Sequence, residues 1–449
     1  MRILIIGAGE SGSNLAETLC ADGHDLVVVD RDADLLAALE ARLDLMTVQG
    51  DGANPGVLEQ AHVDKADLVV ALTNHDATNL LACILAHGRG VQRTVARVSA
   101  MDYLADGLDL APLGVDLVVN PYHEYARDLY NVLRLPGARE VQELLEGRVL
   151  VAGMPVHMDS TLNGRRLGDF GETERLDKIR FVALVRGGDV ITPRGDTVLM
   201  VGDQVYFAGA PADVEEFMQW SHPEHDAFHR VVIAGGGELG LLLAQRLEAA
   251  KTPVVLMEKD PDRADVCSQR LKRALVIKGD ALDRGTLEGL GGRREDMAYV
   301  AVTGSDEHNI IGCLLAEKLG ARFTAAQVGK PEYIAFVESQ RLLDLIVNPN
   351  LAMTNAILHF VRGRNVAAAM RLAQLPGELI EVELDERHPW AGKKIRDLKI
   401  PAGAVIVTTL RGNEIRAAVG TLDFEPGDRA VVYFLPEVKE KLFSLLKLK

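Results

Sequence analysis

The sequence predicts an α/β protein built from two doubly wound parallel sheets, each followed by a smaller α+β domain. A buried β-type run over residues 3–6 leads directly into the glycine pattern "GAGESG" and then into a helix of apolar periodicity. A near-copy of this segment, "VVIAGGGELGLLLAQRLEAAKTPVVLME", begins at Val231. Alternating β-type runs broken by glycine turns follow each copy. Strand, glycine turn and helix in this order open a Rossmann-like sheet, so we expect two of them.

Length and composition fit a chain of several globular domains. A chain of 449 residues exceeds the size at which one hydrophobic core stops growing. Its composition, 48% hydrophobic and 25% charged, is that of a well-packed globular protein. The formal net charge of -16 repels phosphate backbones and anionic lipid headgroups. Nucleic acid and a bare membrane surface are therefore disfavoured as partners.

The cysteines and the apolar runs bear on the cellular location of the protein. The four cysteines form no CxxC pair, so we expect reduced thiols, without disulfides or a zinc site. The first strand begins at residue 2, which leaves no room for a signal peptide, and no run of about 18 apolar residues occurs. We therefore expect a cytoplasmic protein that reaches a membrane only through a partner.

The self-similarity covers a whole domain. Gly7 and Gly235 are as far apart in the chain as Asp30 and Glu258. Downstream, "QGDGANPGVLEQA" matches "KGDALDRGTLEGL", and "ADLVVALTNHDATN" matches "DMAYVAVTGSDEHN". Such long similarity indicates a duplicated domain. We expect a first α/β domain, a first small domain, a linker, a second α/β domain and a second small domain at residues 1–137, 138–220, 221–229, 230–369 and 370–449.

The first glycine turn has the residues that a dinucleotide requires. Gly7 permits the tight turn, Gly9 lets backbone N–H groups approach a diphosphate, and Gly12 allows the helix to pack close to the sheet. The phosphates then lie at the positive end of the helix. The residues assigned to this turn are Gly7, Ala8, Gly9, Glu10, Ser11 and Gly12.

Polar residues at the ends of two later strands extend this predicted site. Asp30 ends the second strand, where a carboxylate can accept hydrogen bonds from the adenosine ribose. This favours NAD(H) over NADP, although the neighbouring Arg31 weakens the preference. Asp51 follows the next strand and can face the adenine. ATP and ADP share the adenosine and the phosphates, so they stay open as ligands.

Three further residues are assigned to the diphosphate side of the site. Thr73 and Asn74 lie where a buried strand ends and a helix begins, with a hydroxyl and an amide available to the ligand. Arg97 closes another strand and can supply a cation to the phosphates. Two simpler interpretations stay open: Thr73 as a helix N-cap and Arg97 as a surface salt-bridge partner.

The second copy keeps most of these positions. Glu258 takes the ribose position, and its longer side chain can still reach the hydroxyl groups. Gln327 and Val328 stand where the first copy has Arg97. The missing arginine leaves three alternatives: weaker binding, a different adenine nucleotide, or an empty site. The residues assigned to the second site are Gly235, Gly237, Glu238, Leu239, Gly240, Glu258, Asp280 and Thr303.

No catalytic or metal-binding residues are predicted. A dehydrogenase needs an acid or base near the nicotinamide, and His123 with Glu124 is the best candidate pair. A helix that begins at Pro121 with an acidic residue in its first turn explains this segment more simply. The second copy has neither residue at that place, so chemistry is not the feature that the two halves share.

The chain resembles the RCK (or KTN) family of potassium-conductance regulators over essentially its whole length. The segments "IIGAGESG", "VVVD", "QGDG", "ALTNHDATN", "ARV" and "NP" occur in family-like order and spacing. The resemblance implies that the small domains are regulatory, of the RCK C type, and that the assigned residues line two nucleotide sites. It also implies a homo-oligomeric ring, a dimer or a tetramer, that docks on a membrane-embedded potassium-translocating subunit and gates it when NAD(H) or ATP/ADP binds.

Two other function classes compete with this one. A soluble NAD-dependent oxidoreductase would turn its nucleotide over with a small metabolite, and a stand-alone ligand-binding scaffold would bind it without any transporter. Recovery of a polytopic membrane protein with the chain would distinguish a regulator from both. The sequence leaves open which nucleotide activates or inhibits, and how many chains form the ring.

Overall fold

The structure, a computed structural model, describes residues 1–100, 109–172, 178–222, 228–289, 297–340, 342–361, 366–372 and 375–447. Two parallel sheets of six strands and two antiparallel sheets of five strands alternate along the chain. This confirms the predicted fold class. The chain forms two compact units, one of residues 1–125 with 348–361 and the other of residues 126–347 with 362–449.

The first sheet has the strand order β3-β2-β1-β4-β5-β6, with all neighbours parallel. Its central strands, β1, β2 and β4, are short apolar runs buried on both faces, as helices on both sides of a parallel sheet require. Ile3 and Ile5 contribute to the core on one face, and Leu4 and Ile6 to the core on the other. Its elements are β1 (Arg2–Ile6), α1 (Glu10–Ala21), β2 (Asp25–Asp30), α2 (Ala33–Glu40), β3 (Met46–Gln49), α3 (Pro55–Gln60), β4 (Leu68–Ala71), α4 (Asp76–Gly88), β5 (Thr94–Arg97) and β6 (Leu117–Val119).

The first small domain follows the helix α5 (Pro121–Leu133). Its sheet has the order β10-β9-β11-β8-β7 and is antiparallel. Gly187 and Gly188, both at positive φ, form the tight turn between two of these strands. Its elements are β7 (Glu140–Leu144), β8 (Val149–Pro155), β9 (Arg180–Arg186), β10 (Asp189–Ile191), β11 (Gln204–Gly209) and α6 (Pro211–Ser221).

The third sheet repeats the first, with the order β14-β13-β12-β15-β16-β17. All its pairs are parallel. Its elements are β12 (Arg230–Ala234), α7 (Glu238–Ala249), β13 (Val254–Glu258), α8 (Pro261–Arg270), β14 (Leu275–Lys278), α9 (Arg284–Gly289), β15 (Met297–Ala301), α10 (Asp306–Lys318), β16 (Phe323–Gln327), α11 (Pro331–Gln340) and β17 (Leu345–Val347).

The helix α12 (Pro349–Val361) follows the third sheet in the chain but packs on the first. Met353, Ile357 and Val361 repeat every fourth residue, and this apolar stripe lies in one core with Leu15 and Leu19 of α1. The guanidinium of Arg93 lies 4.5 Å from the centre of the Phe360 ring and donates to the Val361 carbonyl. An arginine at a helix C-terminus satisfies a carbonyl that has no partner within the helix.

The second small domain closes the chain with the antiparallel order β18-β19-β22-β20-β21. Its first strand begins at Val366, so the sheet includes residues that the sequence analysis placed before position 370. The boundaries given from the sequence stay a prediction, and residues 223–227 of the expected linker lie outside the described residues. The elements are β18 (Val366–Met370), β19 (Glu378–Glu383), β20 (Ala404–Arg411), β21 (Glu414–Ala417), β22 (Arg429–Phe434) and α13 (Lys439–Leu446).

The two small domains share one apolar core, to which both sheets contribute buried side chains such as Val151, Tyr206 and Val407. A carboxylate is buried at the edge of this core. Glu381 accepts the Leu145 backbone N–H and also an N–H of Arg429, at 2.5 and 2.7 Å. Because both of its oxygens have a donor, this charge is compensated where water is excluded.

No helix of the described residues is both long enough and apolar enough to cross a bilayer.

Asp203 fixes a turn of the first small domain, and its removal should destabilise that domain. Both carboxylate oxygens accept from Arg186 at 2.7 Å, and Oδ2 also accepts the Met200 N–H at 2.8 Å. The Asp203 carboxylate is 1% exposed and the Arg186 side chain is 36% exposed, so water screens the attraction between the two charges only in part. We expect Asp203→Ala to lower the free energy of unfolding by about 2 kcal/mol.

The measurement is urea unfolding followed by Trp220 fluorescence. The chain has two tryptophans, so Trp390→Phe makes Trp220, packed on Phe217 in this domain, the single reporter. The control is Asp189→Ala at an exposed position of the same domain, which should change the free energy by less than about 0.5 kcal/mol. Equal midpoints for the two variants would contradict the assignment.

Candidate nucleotide-binding site

The glycine turn between β1 and α1 packs so closely that side chains are excluded from it. Gly7 has φ +110°, and its N–H donates to the Val29 carbonyl at 2.8 Å. A Cβ on Gly12 would lie 1.8 Å from the Gly7 carbonyl oxygen, whereas a Cβ on Gly9 would meet nothing within 4 Å. Gly12 is therefore required by the fold. Gly9 has no such requirement within the chain, which fits a residue that leaves space for a ligand.

The helix α1 begins beside this space. Gly9 is its N-cap residue and has no side chain with which to cap this end. The first N–H groups of a helix have no partner within it, and together with the helix dipole they form an anion site. Ala8, Ser11 and, in the second copy, Leu239 are buried.

Asp30 holds the turn in place from the end of β2. Its Oδ2 accepts the Ala8 N–H at 2.6 Å, and its Oδ1 accepts the Asp32 N–H at 2.9 Å. Each carboxylate oxygen retains a second lone pair, which a ribose hydroxyl can use. The role that the sequence analysis gave to Asp30 is geometrically feasible and stays a prediction. The anchoring of the turn is a second role that the sequence did not reveal.

Arg31 and Asp51 form an ion pair beside Asp30. The Arg31 Nη2 and the Asp51 Oδ2 are 2.5 Å apart, and the Ala53 N–H donates to Oδ1 at 3.0 Å. The Ala53 N–H and then Arg31 lower the pKa of Asp51, so the carboxylate stays ionised near neutral pH. Asp51 lies at the expected end of the sheet. Because its carboxylate already binds Arg31 and the Ala53 N–H, it has less hydrogen-bonding capacity left for an adenine than the sequence suggested.

A buried asparagine, Asn79, organises the ends of β4 and β5. Its Oδ1 accepts the N–H and the hydroxyl of Thr73 at 2.9 and 2.7 Å. Its Nδ2 donates to the carbonyls of Thr73 and Arg97, both at 2.9 Å. The side chain is fully buried. Asn79 thereby fixes the two strand ends that flank the cleft.

This network changes the interpretation of the role of Thr73. Its hydroxyl proton is committed to Asn79, so only the oxygen remains, and that oxygen accepts the His75 N–H at 3.2 Å. The N-cap residue of α4 is His75, which rules out the N-cap alternative for Thr73. The Asn74 Oδ1 accepts from Arg97 at 3.2 Å, so these two predicted residues are brought together at the strand ends.

The second copy repeats this geometry with a longer carboxylate. Glu258 accepts the N–H groups of Gly236 and Asp260 at 2.7 and 2.8 Å, as Asp30 does in the first copy. A Cβ on Gly236 would lie 3.0 Å from Glu258 Oε2 and 3.0 Å from Cys267 Sγ. Glycine at this position therefore makes room for the additional methylene of glutamate. The first copy has the matching shorter pair, Ala8 with Asp30.

The other residues of the second glycine turn and strand ends have the same contacts as the matching residues of the first copy. A Cβ on Gly240 would lie 1.9 Å from the Gly235 carbonyl oxygen. Asn309 is buried and bonds Thr303 and the Gln327 carbonyl, in the manner of Asn79. Lys259 pairs with Asp280 at 2.8 Å and lowers the pKa of that carboxyl. Asp280 and Thr303 were predicted from the sequence, whereas Asn309 and Lys259 were missed.

A cleft opens at the second glycine turn. Its empty volume is about 760 Å³, with the part open to solvent included. Predicted and unpredicted side chains both line it, among them Glu258, Lys259, Arg263, Asp280, Thr303 and His308. The alignment of the two halves contained a signal for Asn79 and Asn309, because "TNHDATN" and "TGSDEHN" end in the same residue. Lys259 stands where the first copy has Arg31, so the same alignment contained a signal for it, whereas none marked Arg263.

The described residues contain no group of three or more His, Cys, Asp or Glu side chains that could hold a metal ion. Burial raises the pKa of Cys83 to about 12 and raises the pKa of Cys313 as well. Both thiols are therefore protonated at neutral pH and unreactive.

Comparison with known proteins assigns the same repeated organisation. The model of the TrkA-N domain matches residues 3–121 and 231–349, and the model of the TrkA-C domain matches residues 151–222 and 379–447. The Trk system potassium uptake protein TrkA of Halomonas elongata is 32% identical over 457 residues, with 99% of each chain covered. The protein of the same name from Vibrio alginolyticus is 30% identical, with 97% of this chain and 96% of that one covered.

Solved structures support the fold. The GsuK channel bound to NAD covers 99% of this chain and 79% of its own, with a TM-score of 0.63 at 21% identity. The crystal structure of the GsuK RCK domain covers 99% and 95%, with a TM-score of 0.62 at 20% identity. At this identity the likeness concerns the fold alone.

Alanine substitutions at Gly9 and Gly12 should distinguish a residue needed for nucleotide binding from a residue needed for folding. Gly9→Ala adds a methyl group in open space at an unstrained φ of -64°, so stability should change by less than about 0.5 kcal/mol. The same methyl group should lower nucleotide affinity at the first site because it occupies the ligand's approach. Gly12→Ala should cost about 3 kcal/mol of stability through its clash with the Gly7 carbonyl. Thermal unfolding and nucleotide titration check both expectations, and a stable Gly12→Ala would refute the packing argument.

The pair Gly236 and Glu258 gives a second expectation. Gly236→Ala should displace the Glu258 carboxylate and weaken nucleotide binding at the second site by about tenfold, the loss of one charge-assisted hydrogen bond. The double variant Gly236→Ala with Glu258→Asp recreates the first copy's pair and should recover most of the affinity. Titration of the single and double variants measures this, and a double variant weaker than the single one would reject the argument from side-chain length.

Proposed function

This chain belongs to the TrkA family, and we propose that it is the nucleotide-binding regulatory subunit of a potassium uptake system. The observation that carries the proposal is the family match, which repeats the N and C domains twice over the chain. The relatives at about 30% identity over nearly their whole length are Trk potassium uptake proteins. Gating of a membrane potassium-translocating subunit in response to a nucleotide is the function that best combines these facts.

The ligand of the proposal is NAD(H), with ATP and ADP as further adenine nucleotides. A structure with the same fold, the GsuK channel, has NAD bound. In this chain the glycine turn, the start of α1 and the strand-end carboxylate lie together as a bound dinucleotide would require. The residues proposed to line the first site are Gly7, Ala8, Gly9, Glu10, Ser11, Gly12, Asp30, Arg31, Asp51, Thr73, Asn74 and Arg97. Those proposed for the second site are Gly235, Gly237, Glu238, Leu239, Gly240, Glu258, Asp280 and Thr303.

The partner of the proposal is a membrane-embedded subunit of the TrkH or TrkG type. The chain would act in the cytoplasm, as a homo-oligomeric ring of two or four chains on the inner face of the membrane. It would bind its nucleotide without changing it. The competing function, a soluble NAD-dependent oxidoreductase, requires a positioned acid or base. The two carboxylates that line the second cleft are instead engaged, Glu258 by the Gly236 N–H and Asp280 by Lys259.

The proposed mechanism is a shift of population between ring geometries. A nucleotide that makes more contacts in one geometry than in the other favours that geometry by the difference in binding free energy. Typical coupling is about 1–3 kcal/mol per site, and several sites in one ring add their contributions. Equal binding to both geometries would leave the gate unchanged, however tight the binding.

Potassium flux with a first-site variant tests the proposal. Asp30→Ala removes the ribose acceptor and the anchor of the glycine turn, so flux through the reconstituted partner should lose most of its response to NAD(H). The control is Asp64→Ala, which removes the same group from an exposed position of the same domain. The measurement is potassium uptake into liposomes at saturating partner, with and without nucleotide.

Two results would count against the proposal. An unchanged nucleotide response in Asp30→Ala would exclude the first cleft as the sensor. Oxidation or reduction of NAD(H) by the purified chain with a metabolite, followed by the absorbance of the reduced nicotinamide, would favour the oxidoreductase.

A further inference from the structure

A series of contacts leads from the first glycine turn to the end of β5. The turn packs directly on the end of β4, because a Cβ on Gly7 would lie 3.1 Å from the Leu72 carbonyl carbon and 3.1 Å from the Thr73 nitrogen. The buried amide of Asn79 then joins Thr73 to the Arg97 carbonyl. Two contacts thus connect the glycine turn with the end of β5.

The Asn79 amide holds its partners firmly. Its oxygen accepts two hydrogen bonds and its nitrogen donates two, so the hydrogen-bonding capacity of this side chain is used in full. The side chain is fully buried, so a broken bond would leave a polar group that water cannot reach. The ends of β4 and β5 are therefore coupled to each other.

The segment that follows β5 is held from two sides. Asp76, in the first turn of α4, accepts the N–H groups of Ser99 and Ala100 at 3.0 and 2.8 Å. The Ser99 carbonyl accepts a hydrogen bond from the Asn120 Nδ2 at 3.1 Å. The peptide groups on both sides of Ser99 are thus fixed, one by α4 and the other by the residue that precedes α5.

Asn120 makes two separate contacts with its two side-chain atoms. Its Nδ2 binds the Ser99 carbonyl, and its Oδ1 accepts the His123 N–H at 3.0 Å, which is the bond of a helix N-cap. The next residue, Pro121, is the first of α5 and suits the start of a helix because it has no N–H to satisfy. Asn120 is 5% exposed, so water has little access to either contact.

The helix α5 is the element through which the chain leaves the first compact unit. That unit ends at Tyr125 and the other begins at Ala126, whereas the helix is continuous from Pro121 to Leu133. Hydrogen bonds between successive turns make a helix move as one body over such a length. A shift of its first turn is therefore carried across the boundary between the units by the helix itself.

From these contacts we infer that Asn120 is the positioning residue that couples nucleotide binding at the first cleft to α5. It acts through Ser99 and not on the ligand. Binding at the glycine turn displaces the ends of β4 and β5, and the hydrogen bond from Asn120 to Ser99 transfers this displacement to the first turn of the helix. The inference rests on the proposed function, since it assigns the regulatory output of the first cleft.

Asn120→Asp distinguishes the two contacts. A carboxylate keeps an oxygen that caps the helix, but it has no N–H to donate to the Ser99 carbonyl. Asn120→Ser is the second variant, because a serine hydroxyl also caps a helix and leaves no further polar atom for that carbonyl. The matched control is Asn54→Asp at the exposed N-cap of α3, which also precedes a proline and accepts a backbone N–H, that of Gly56.

The measurement is amide hydrogen exchange of the full chain with and without NADH, followed by mass spectrometry. A peptide that covers the first glycine turn reports binding, and a peptide that covers residues 121–133 reports the response of α5. Gly237→Ala, which adds a methyl group at the start of α7, is included in every sample to weaken binding at the second cleft. Calorimetric titration gives the NADH affinity of each variant.

NADH should slow exchange in both peptides of the chain without a further substitution and of Asn54→Asp. In both Asn120 variants it should still protect the glycine turn, but the change over α5 should fall at least about fivefold, since it depends on one hydrogen bond. The NADH affinity of these variants should stay equal or rise up to about fivefold, because binding no longer has to move α5. The response of potassium flux to NADH should fall with the response of α5.

Three results would overturn the inference. They are the absence of an NADH response over α5 in the chain with Asn120 intact, an unchanged response in both Asn120 variants, and a lost response that is accompanied by weaker NADH binding. The last result is expected of a residue that only maintains the shape of the cleft. In each case NADH binding and a flux response would still support the proposed function, whereas absence of both would overturn the proposed function itself.

Discussion

The contact between the first glycine turn and the helix that follows it is the constraint on which each crevice depends. In both copies the carbonyl of the first glycine lies so near the third glycine that a Cβ there would come within 2 Å, at 1.8 Å for Gly12 and 1.9 Å for Gly240. This approach brings the start of the helix to the carboxyl edge of the sheet. The positive end of the helix dipole thereby lies at the place where the strand-end side chains converge.

The strand-end carboxylate completes this constraint, and the two copies satisfy it with side chains of different length. Asp30 anchors the N–H of Ala8, and Glu258 anchors the N–H of Gly236. The longer acid has the smaller neighbour, so each pair fills a similar space. In each copy an ion pair lies beside this carboxylate, Arg31 with Asp51 in the first and Lys259 with Asp280 in the second. The shared geometry is thus preserved while the side chains around it differ.

The two small domains pack against each other. Their sheets contribute to one apolar core, and the buried Glu381 is held by donors from both domains, Leu145 and Arg429. Removal of one partner of such a buried charge costs much more than an exposed ion pair does. The two small domains are therefore joined both by a shared apolar core and by a buried, compensated charge.

The sequence by itself determined the duplication, the fold class and the place of each glycine turn. Strand, turn and helix signals are local, and the same spacing occurred twice in one chain. Only the tertiary structure decided what each strand end does: Asn79 joins two strand ends through hydrogen bonds, the Thr73 hydroxyl is committed to it, and Asp51 is paired with Arg31. It also decided that α12 packs on the first sheet and that Arg263 lines the second cleft. These facts depend on contacts between residues far apart in the chain, and periodicity and spacing carry no information about which side chains such contacts bring together.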